Sequence, residues 1–289
     1  PFLFWPEQRL VRPHRFLNVL LLSLPFSSLL PVAAHAQVAA EESLRLTSAV
    51  TSPWGKPLGT EMPQGARIKL TATALDGPAP LKCTDAVQRF LRTTADGLFE
   101  GNLPAPADES ARRLGMPDHI VSQRISCSSG SFDLHRSAEG RAWIGLDNVV
   151  LQWERTHIAA SPEAIVQSLL IQHMSSDMAL SREHIERQRD WLNDDLVTRF
   201  GRWFTRTASR DQAPYLNGDP YTDSQEPPDS FELSPASVSG DAADVAVTFR
   251  GADDAPYAVH YLLSRTNGAW RIDDLRYRDG EKLSQLLER

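Results

Sequence analysis

The sequence predicts an α+β fold in two parts. A small antiparallel β domain with one short helix and a disulfide spans residues 37–157, and an α+β domain with helices packed on one face of a curved antiparallel sheet spans 158–289. Three observations predict this. Apolar residues alternate with a period of two through both halves, the longer helical periods lie in a block that starts at Ser161, and Cys83 and Cys127, the only cysteines, both lie in the first half.

The front of the chain is read separately. Arg9, Arg12 and Arg15 precede an apolar run from Phe16 to Val32 that ends in Ala34-His35-Ala36, the layout of a secretory signal peptide over residues 1–36. A membrane-crossing helix needs about 20 apolar residues; here Asn18, Pro25 and Pro31 interrupt the run, and no Cys follows the small-x-small site to carry a lipid. The expectation is a chain that begins at Gln37, is periplasmic or secreted in a bacterium, and keeps no membrane anchor. Without residues 1–36, Lys+Arg number 27 against 36 Asp+Glu, a net charge of −9 with no basic block. Such a surface repels phosphate backbones and anionic lipid, which excludes nucleic acid and membrane surfaces as partners.

In the first half, Ile68, Leu70, Ala72 and Ala74 alternate with Arg67, Lys69, Thr71 and Thr73, giving a half-buried strand ended by Gly77-Pro78. A helix fits Asp108 to Leu114, closed by Gly115. Val121 to Cys127 and Phe132 to His135 are strands separated by the turn cluster Ser128-Ser129-Gly130, and Trp143 to Trp153 reads as a longer apolar strand. In an exported chain Cys83 and Cys127 are expected to pair with each other. Closing that loop stabilises by about 4 kcal/mol on the chain-entropy view. A metal site is not expected, because no Cys-x-x-Cys or His-x-His spacing accompanies either cysteine.

The second half begins at Ser161-Pro162-Glu163, with Ser as N-cap and Pro at the first helical position. Ile165, Val166, Leu169, Leu170 and His173 continue one helix, and a second is expected from about Ile185 to Phe204 through Trp191, Leu192, Leu196, Phe200 and Trp203. The polar stretch Thr205 to Asp229 is long for a plain connector. Four strands follow: Phe231 to Ser237, Ala243 to Phe249, Tyr257 to Arg265 and Trp270 to Tyr277. Asn267-Gly268 is a hairpin signal between the last two. A closing helix is expected over Gly280 to Glu288.

Two segments carry a resemblance: Tyr215-Leu216-Asn217-Gly218-Asp219-Pro220-Tyr221-Thr222-Asp223-Ser224-Gln225-Glu226, and Trp270-Arg271-Ile272-Asp273-Asp274-Leu275-Arg276-Tyr277-Arg278-Asp279-Gly280. With the paired strands between them, residues 161–289 resemble an uncharacterised exported bacterial domain family similar to the nuclear transport factor 2-like superfamily. The resemblance implies a cone built from a bent sheet and helices, and a pocket inside it. It implies no catalytic residue, since that superfold hosts isomerases, hydrolases and domains that only bind.

Tyr215, Asp219, Tyr221, Asp223, Glu226, Asp273 and Asp274 are the candidate binding residues. Isomerase-like chemistry in a cone needs a carboxylate base and a neutral donor converging in an apolar space. Asp219, Asp223, Asp273 and Asp274 supply carboxylates, and Tyr221, Tyr257, Tyr261 and His260 supply donors. Against this, Asp side chains in turns commonly bond nearby amides, which would make Asp219 and Asp223 loop caps and place Asp273-Asp274 at a strand end. Asp219, Asp223 and Glu226 lack the alternation of a calcium loop. His173, His184 and His260 have no second His four residues away and read as solitary histidines. Ser129-Gly130-Ser131 is not a nucleophile elbow. No cofactor is implied. Two functions survive: a non-enzymatic periplasmic binding or inhibitor-type protein whose partner is another protein or a small ligand in the C-terminal cone, immunity against a secreted or wall-active enzyme being one such role, and, as the less favoured alternative, a small-molecule enzyme using the cone pocket.

Overall fold

Alternating apolar side chains in both halves lead to a single sheet. The computed structural model describes residues 41–59, 61–158, 160–208, 216, 218–252 and 255–289; the expected signal segment lies outside them. The first half contains β1 (Glu42–Thr51), β2 (Arg67–Thr71), β3 (Ala74–Asp76), β4 (Val87–Thr93), a 3-10 segment (Ala95–Gly101), α1 (Ala107–Arg113), β5 (Ile120–Cys127), β6 (Gly130–Arg136), β7 (Arg141–Leu146) and β8 (Val149–Ile158). The second contains α2 (Pro162–Met174), α3 (Arg182–Arg187), α4 (Asp194–Thr207), β9 (Ser230–Leu233), β10 (Ser237–Ser239), β11 (Ala242–Arg250), β12 (Tyr257–Thr266), β13 (Ala269–Arg276) and α5 (Leu283–Leu286). The strands pair in the order β13-β12-β11-β9-β4-β5-β6-β7-β8-β1-β2-β3, with β10 added to β11. The architecture is therefore α+β and dominated by antiparallel sheet, and residues Val38–Arg289 form one compact unit. Among the described residues no helix is long and apolar enough to cross a membrane.

Several elements differ from the sequence reading. The run Trp143 to Trp153 is a hairpin, because Asp147 (φ 49°) and Asn148 (φ 60°) both adopt the left-handed conformation of a tight two-residue turn. The alternation from Ala66 to Ala74 also folds back, with β2 pairing β3 across Ala72-Thr73. β1 escaped detection because its buried positions include Glu42 alongside Leu44 and Leu46. The expected helix over Ile185–Phe204 is broken into α3 and α4. Its middle is extended: the Asn193 amide donates to the Ile272 carbonyl and the Ile272 amide to that of Trp191, both at 2.8 Å. A helix cannot continue through residues paired to a strand, and the segment covers the exposed edge of β13. The Asn193 side chain then caps α4, accepting from the Asp195 amide at 2.9 Å.

The first half of the sheet curls until β2 and β3 return towards β4. The Gln88 amide on β4 donates to the Thr71 carbonyl on β2, and the Ala86 amide donates to Thr73 at 2.9 Å. The Cys83–Cys127 disulfide ties the lead-in to β4 to the end of β5, with Cα atoms 6.0 Å apart. Leu44, Ile68, Leu70, Leu75, Leu134 and Trp153 fill the interior. A charged pair is buried there: Arg136 pairs with Glu42 and donates to Gln123 at 2.6 Å, and Gln123 donates to Gln88 at 2.6 Å. A guanidinium out of water requires such a partner set.

His135 organises the 3-10 segment. Its Nε2 accepts the Phe99 amide at 3.0 Å, so that nitrogen is bare, the ring is neutral, and Nδ1–H donates to the Ser122 hydroxyl at 2.7 Å. The bond fixes Phe99 and Glu100 at φ 52° and 59°, a region non-glycine residues seldom occupy. Burial, aided by nearby Arg124, pushes the His135 pKa down to about 4.

The halves join where β4 pairs β9. Phe90 faces Phe231 in register and their rings stack 4.6 Å apart, while the Arg92 amide donates to the Asp229 carbonyl at 2.8 Å. In the second half α2 starts as expected at Ser161, whose hydroxyl accepts from the Ala164 amide at 3.2 Å. Leu169, Leu170 and Phe200 of the helices pack with Phe249, Tyr261 and Ile272 of the sheet. The closing helix is shorter than expected, reduced to α5.

Three outcomes follow from this packing. Replacing both cysteines by Ala lowers unfolding free energy by about 4 kcal/mol in urea titration, the loss expected for opening a loop of 44 residues. Phe231→Ala costs about 3–5 kcal/mol, the usual cost of emptying a buried aromatic site, measured in the same way. Because the unfolded chain protonates His135 near 6.5 and the folded chain only near 4, stability is intact above pH 6.5 and is lost as pH falls from 6.5 to 4, by about 3 kcal/mol for this ring. A His135→Asn variant should show a shallower acid limb in pH-dependent denaturation.

Candidate functional site

The segment from Gly218 to Glu226 is the part of the long connection in which the candidate residues meet; Tyr215 and Asn217 lie outside the described residues. It is a closed turn. The Asp219 amide donates to the Ser224 carbonyl at 2.8 Å and the Asp223 amide to the Asp219 carbonyl at 3.0 Å. Gly218 (φ 130°) is required, since a Cβ there would lie 2.4 Å from the Ser224 carbonyl oxygen.

Asp219 is the centre of the turn. Its side chain, 12% exposed, accepts His173 Nε2–H at 2.9 Å on one oxygen and the Thr222 amide and hydroxyl, at 3.1 and 2.6 Å, on the other. Burial alone pushes this carboxyl up, and the His173 and Thr222 bonds more than offset that, holding it below the ordinary carboxylate range. His173 sits on the apolar face of α2, three residues after Leu170 and fully buried. Its Nδ1 lies 3.4 Å from Nε2 of His184 on α3. The two rings, read from sequence as solitary, are partners eleven residues apart. Burial, with His173 and Arg187 adding to it, pushes the His184 pKa down to about 4.

The rest of the turn is anchored by tyrosines. Tyr221 is buried and its hydroxyl donates to Gln188 at 2.6 Å; Tyr261 donates to the Tyr221 carbonyl at 2.6 Å and Tyr277 to the Pro220 carbonyl at 2.9 Å. Burial raises all three phenols well above their ordinary pKa, so they serve as neutral donors. Gln188, Tyr261 and Tyr277 come from three separate elements, so no spacing in the sequence pointed to the set. The one available signal was a His on the apolar face of α2.

The remaining candidates are distributed outside this knot. Asp223 (φ 55°) faces outward, its carboxylate paired with Arg278 at 3.1 Å, and burial raises its pKa despite that partner. Arg278 lies 4.5 Å over the Tyr257 ring. Glu226 is exposed. Asp273 accepts from Asn193 at 2.7 Å and Ser264 at 2.9 Å. Asp274 holds the start of α5 through the Ser284 amide and hydroxyl, at 2.9 and 2.6 Å. Both carboxylates border a cleft of about 580 Å³ that also takes in Asp195, Arg199, Asp244 and Lys282. His260 pairs with Asp244 at 2.8 Å on the same sheet face as Arg276, away from Asp219. Among the described residues, the only His, Cys, Asp or Glu group close enough to hold a metal is Cys83, Asp85 and Cys127, and its sulfurs are bonded to each other.

No protein-family model matches the chain, and no curated protein matches it. Among solved structures, a chain of the type VI native effector-immunity complex Tae3-Tai3 from Ralstonia pickettii is 25% identical, covering 42% of this chain and 97% of its own length at a TM-score of 0.32.

The geometry separates two carboxylates that are four residues apart. Asp219→Ala leaves His173 and Thr222 without their acceptor and should lower unfolding free energy by about 2–3 kcal/mol, the cost of stranding buried donors that bonded a charged group. Asp223→Ala removes an outward-facing pair and should change it by about 0.5 kcal/mol or less. Differential scanning calorimetry of the two variants checks the contrast.

Proposed function

We propose that this chain is an exported, non-enzymatic binding or inhibitor-type protein that acts on another secreted protein, immunity against a wall-active enzyme being one such role. The observation that carries this reading is the state of the polar groups in the 218–226 turn. Both carboxylate oxygens of Asp219 and the hydroxyls of Tyr221, Tyr261 and Tyr277 are engaged by protein atoms, which leaves a stiff turn and no converging base and donor free for substrate. Outward, the turn presents Asp223, Gln225 and Glu226, with Arg278 adjoining, and the charged groups among them are suited to pairing with a protein surface.

In the same reading residues 161–289 form a cone of the nuclear transport factor 2-like kind, used as a platform. Support comes from α2, α4 and α5, which pack on the sheet formed by β9, β11, β12 and β13. The disulfide and the apolar segment before Ala34-His35-Ala36 support export to an oxidising compartment.

The test is capture from periplasmic extract on immobilised wild-type chain, alongside a Glu226→Arg/Arg278→Glu variant of unchanged melting temperature. The expected outcome is a stoichiometric complex, seen by size-exclusion chromatography, that the variant forms at least tenfold more weakly. Failure of the wild type to retain a protein, or equal retention by the variant, contradicts the reading.

A further inference from the structure

The hydrogen bonds from α3 to the 218–226 turn have a direction. A guanidinium only donates, so Arg187, 3.5 Å from His184 Nδ1, leaves that nitrogen bare. The single proton of neutral His184 then sits on Nε2 and is offered to His173 Nδ1 at 3.4 Å. His173 carries its own proton on Nε2 and donates it to Asp219 at 2.9 Å. Asp219 in turn accepts the Thr222 amide and hydroxyl that close the turn. Each member is held in one tautomer by its neighbour, and each ring has one proton.

We propose that the Arg187–His184–His173–Asp219 relay is an acid-released latch on the 218–226 turn. A second proton on His184 has to go to Nδ1, where it faces the Arg187 guanidinium and removes the acceptor that orients the ring. Every group near the ring that is charged or can titrate bears on this. Arg187 of α3 and His173 of α2 oppose the added charge, Asp177 in the α2–α3 connection and Asp219 in the turn favour it, and Glu183 is engaged by Arg187 at 2.8 Å. Burial, together with Arg187 and His173, outweighs the two acids, so the latched ring stays neutral down to about pH 4. Once the ring swings into water it titrates near 6.5. Protons therefore favour the open turn: its equilibrium constant for opening rises about 30-fold between pH 7.5 and pH 5. The latch belongs to the turn itself and holds whether or not the turn binds a partner.

Hydrogen exchange of the Asp219, Thr222 and Asp223 amides, read by NMR on the full chain and corrected for intrinsic rates, tests this. The expected result is a loss of protection of about 30-fold from pH 7.5 to 5 at these amides, while Val259 and Tyr261 in β12 keep theirs. In His184→Gln, whose amide can donate to His173 and accept from Arg187 without titrating, the loss should shrink to less than about threefold. Equal protection at both pH values in the wild type, or the same loss in His184→Gln, overturns the proposal. Should His184→Gln not fold, imidazole ¹⁵N spectra of the wild type at pH 7.5 decide: Nε2-protonated tautomers on both rings are expected, and a Nδ1-protonated His184 overturns it.

Discussion

A carboxylate withdrawn from water has to be paired, and in this protein Asp219 is the carboxylate that determines how the second half is assembled. Its partners come from α2 and from its own turn, and the turn's further anchors come from α3, β12 and the end of β13. The 218–226 end of a polar connection is thereby made part of the core, since its Tyr221 and Thr222 are completely buried. The surrounding tyrosines satisfy the backbone carbonyls of Pro220 and Tyr221, which would otherwise be stranded in an apolar space. The side-chain oxygens of Asp219, Tyr221 and Tyr277 are thereby committed to holding the turn together.

The first half solves a similar problem with different residues. Arg136 and Glu42 are buried together and bridged through Gln123 to Gln88, linking four strands of the curled sheet. His135 holds two left-handed residues in place through a single amide bond. The two polar centres lie on either side of the β4–β9 junction, where the Phe90–Phe231 stack makes the sheet continuous. Neutral buried histidines occur in both halves, so acid acts on the fold in two places.

The sequence made the strands of the second half legible because their alternation is clean: Ala243, Val245, Val247 and Phe249 face the helices, and Asn267-Gly268 sets the hairpin after β12. The Cys83–Cys127 pairing was legible because only two cysteines exist. What was hidden depended on contacts between distant residues. The break between α3 and α4 follows from pairing of Trp191 and Asn193 with Ile272, and no local propensity reveals it. Asp219 stood out as a candidate, yet its role as an anchor required His173, which comes from α2. Asp274, a candidate for binding, is a helix anchor for the same reason.

The coupling between His173 and Asp219 is the quantity on which this account rests. A double-mutant cycle with His173→Ala and Asp219→Ala, read by urea denaturation, isolates it. An interaction free energy of about 1–3 kcal/mol is expected for a buried, charge-assisted hydrogen bond. Additive losses, with a coupling indistinguishable from zero, would show that the turn is held by something else.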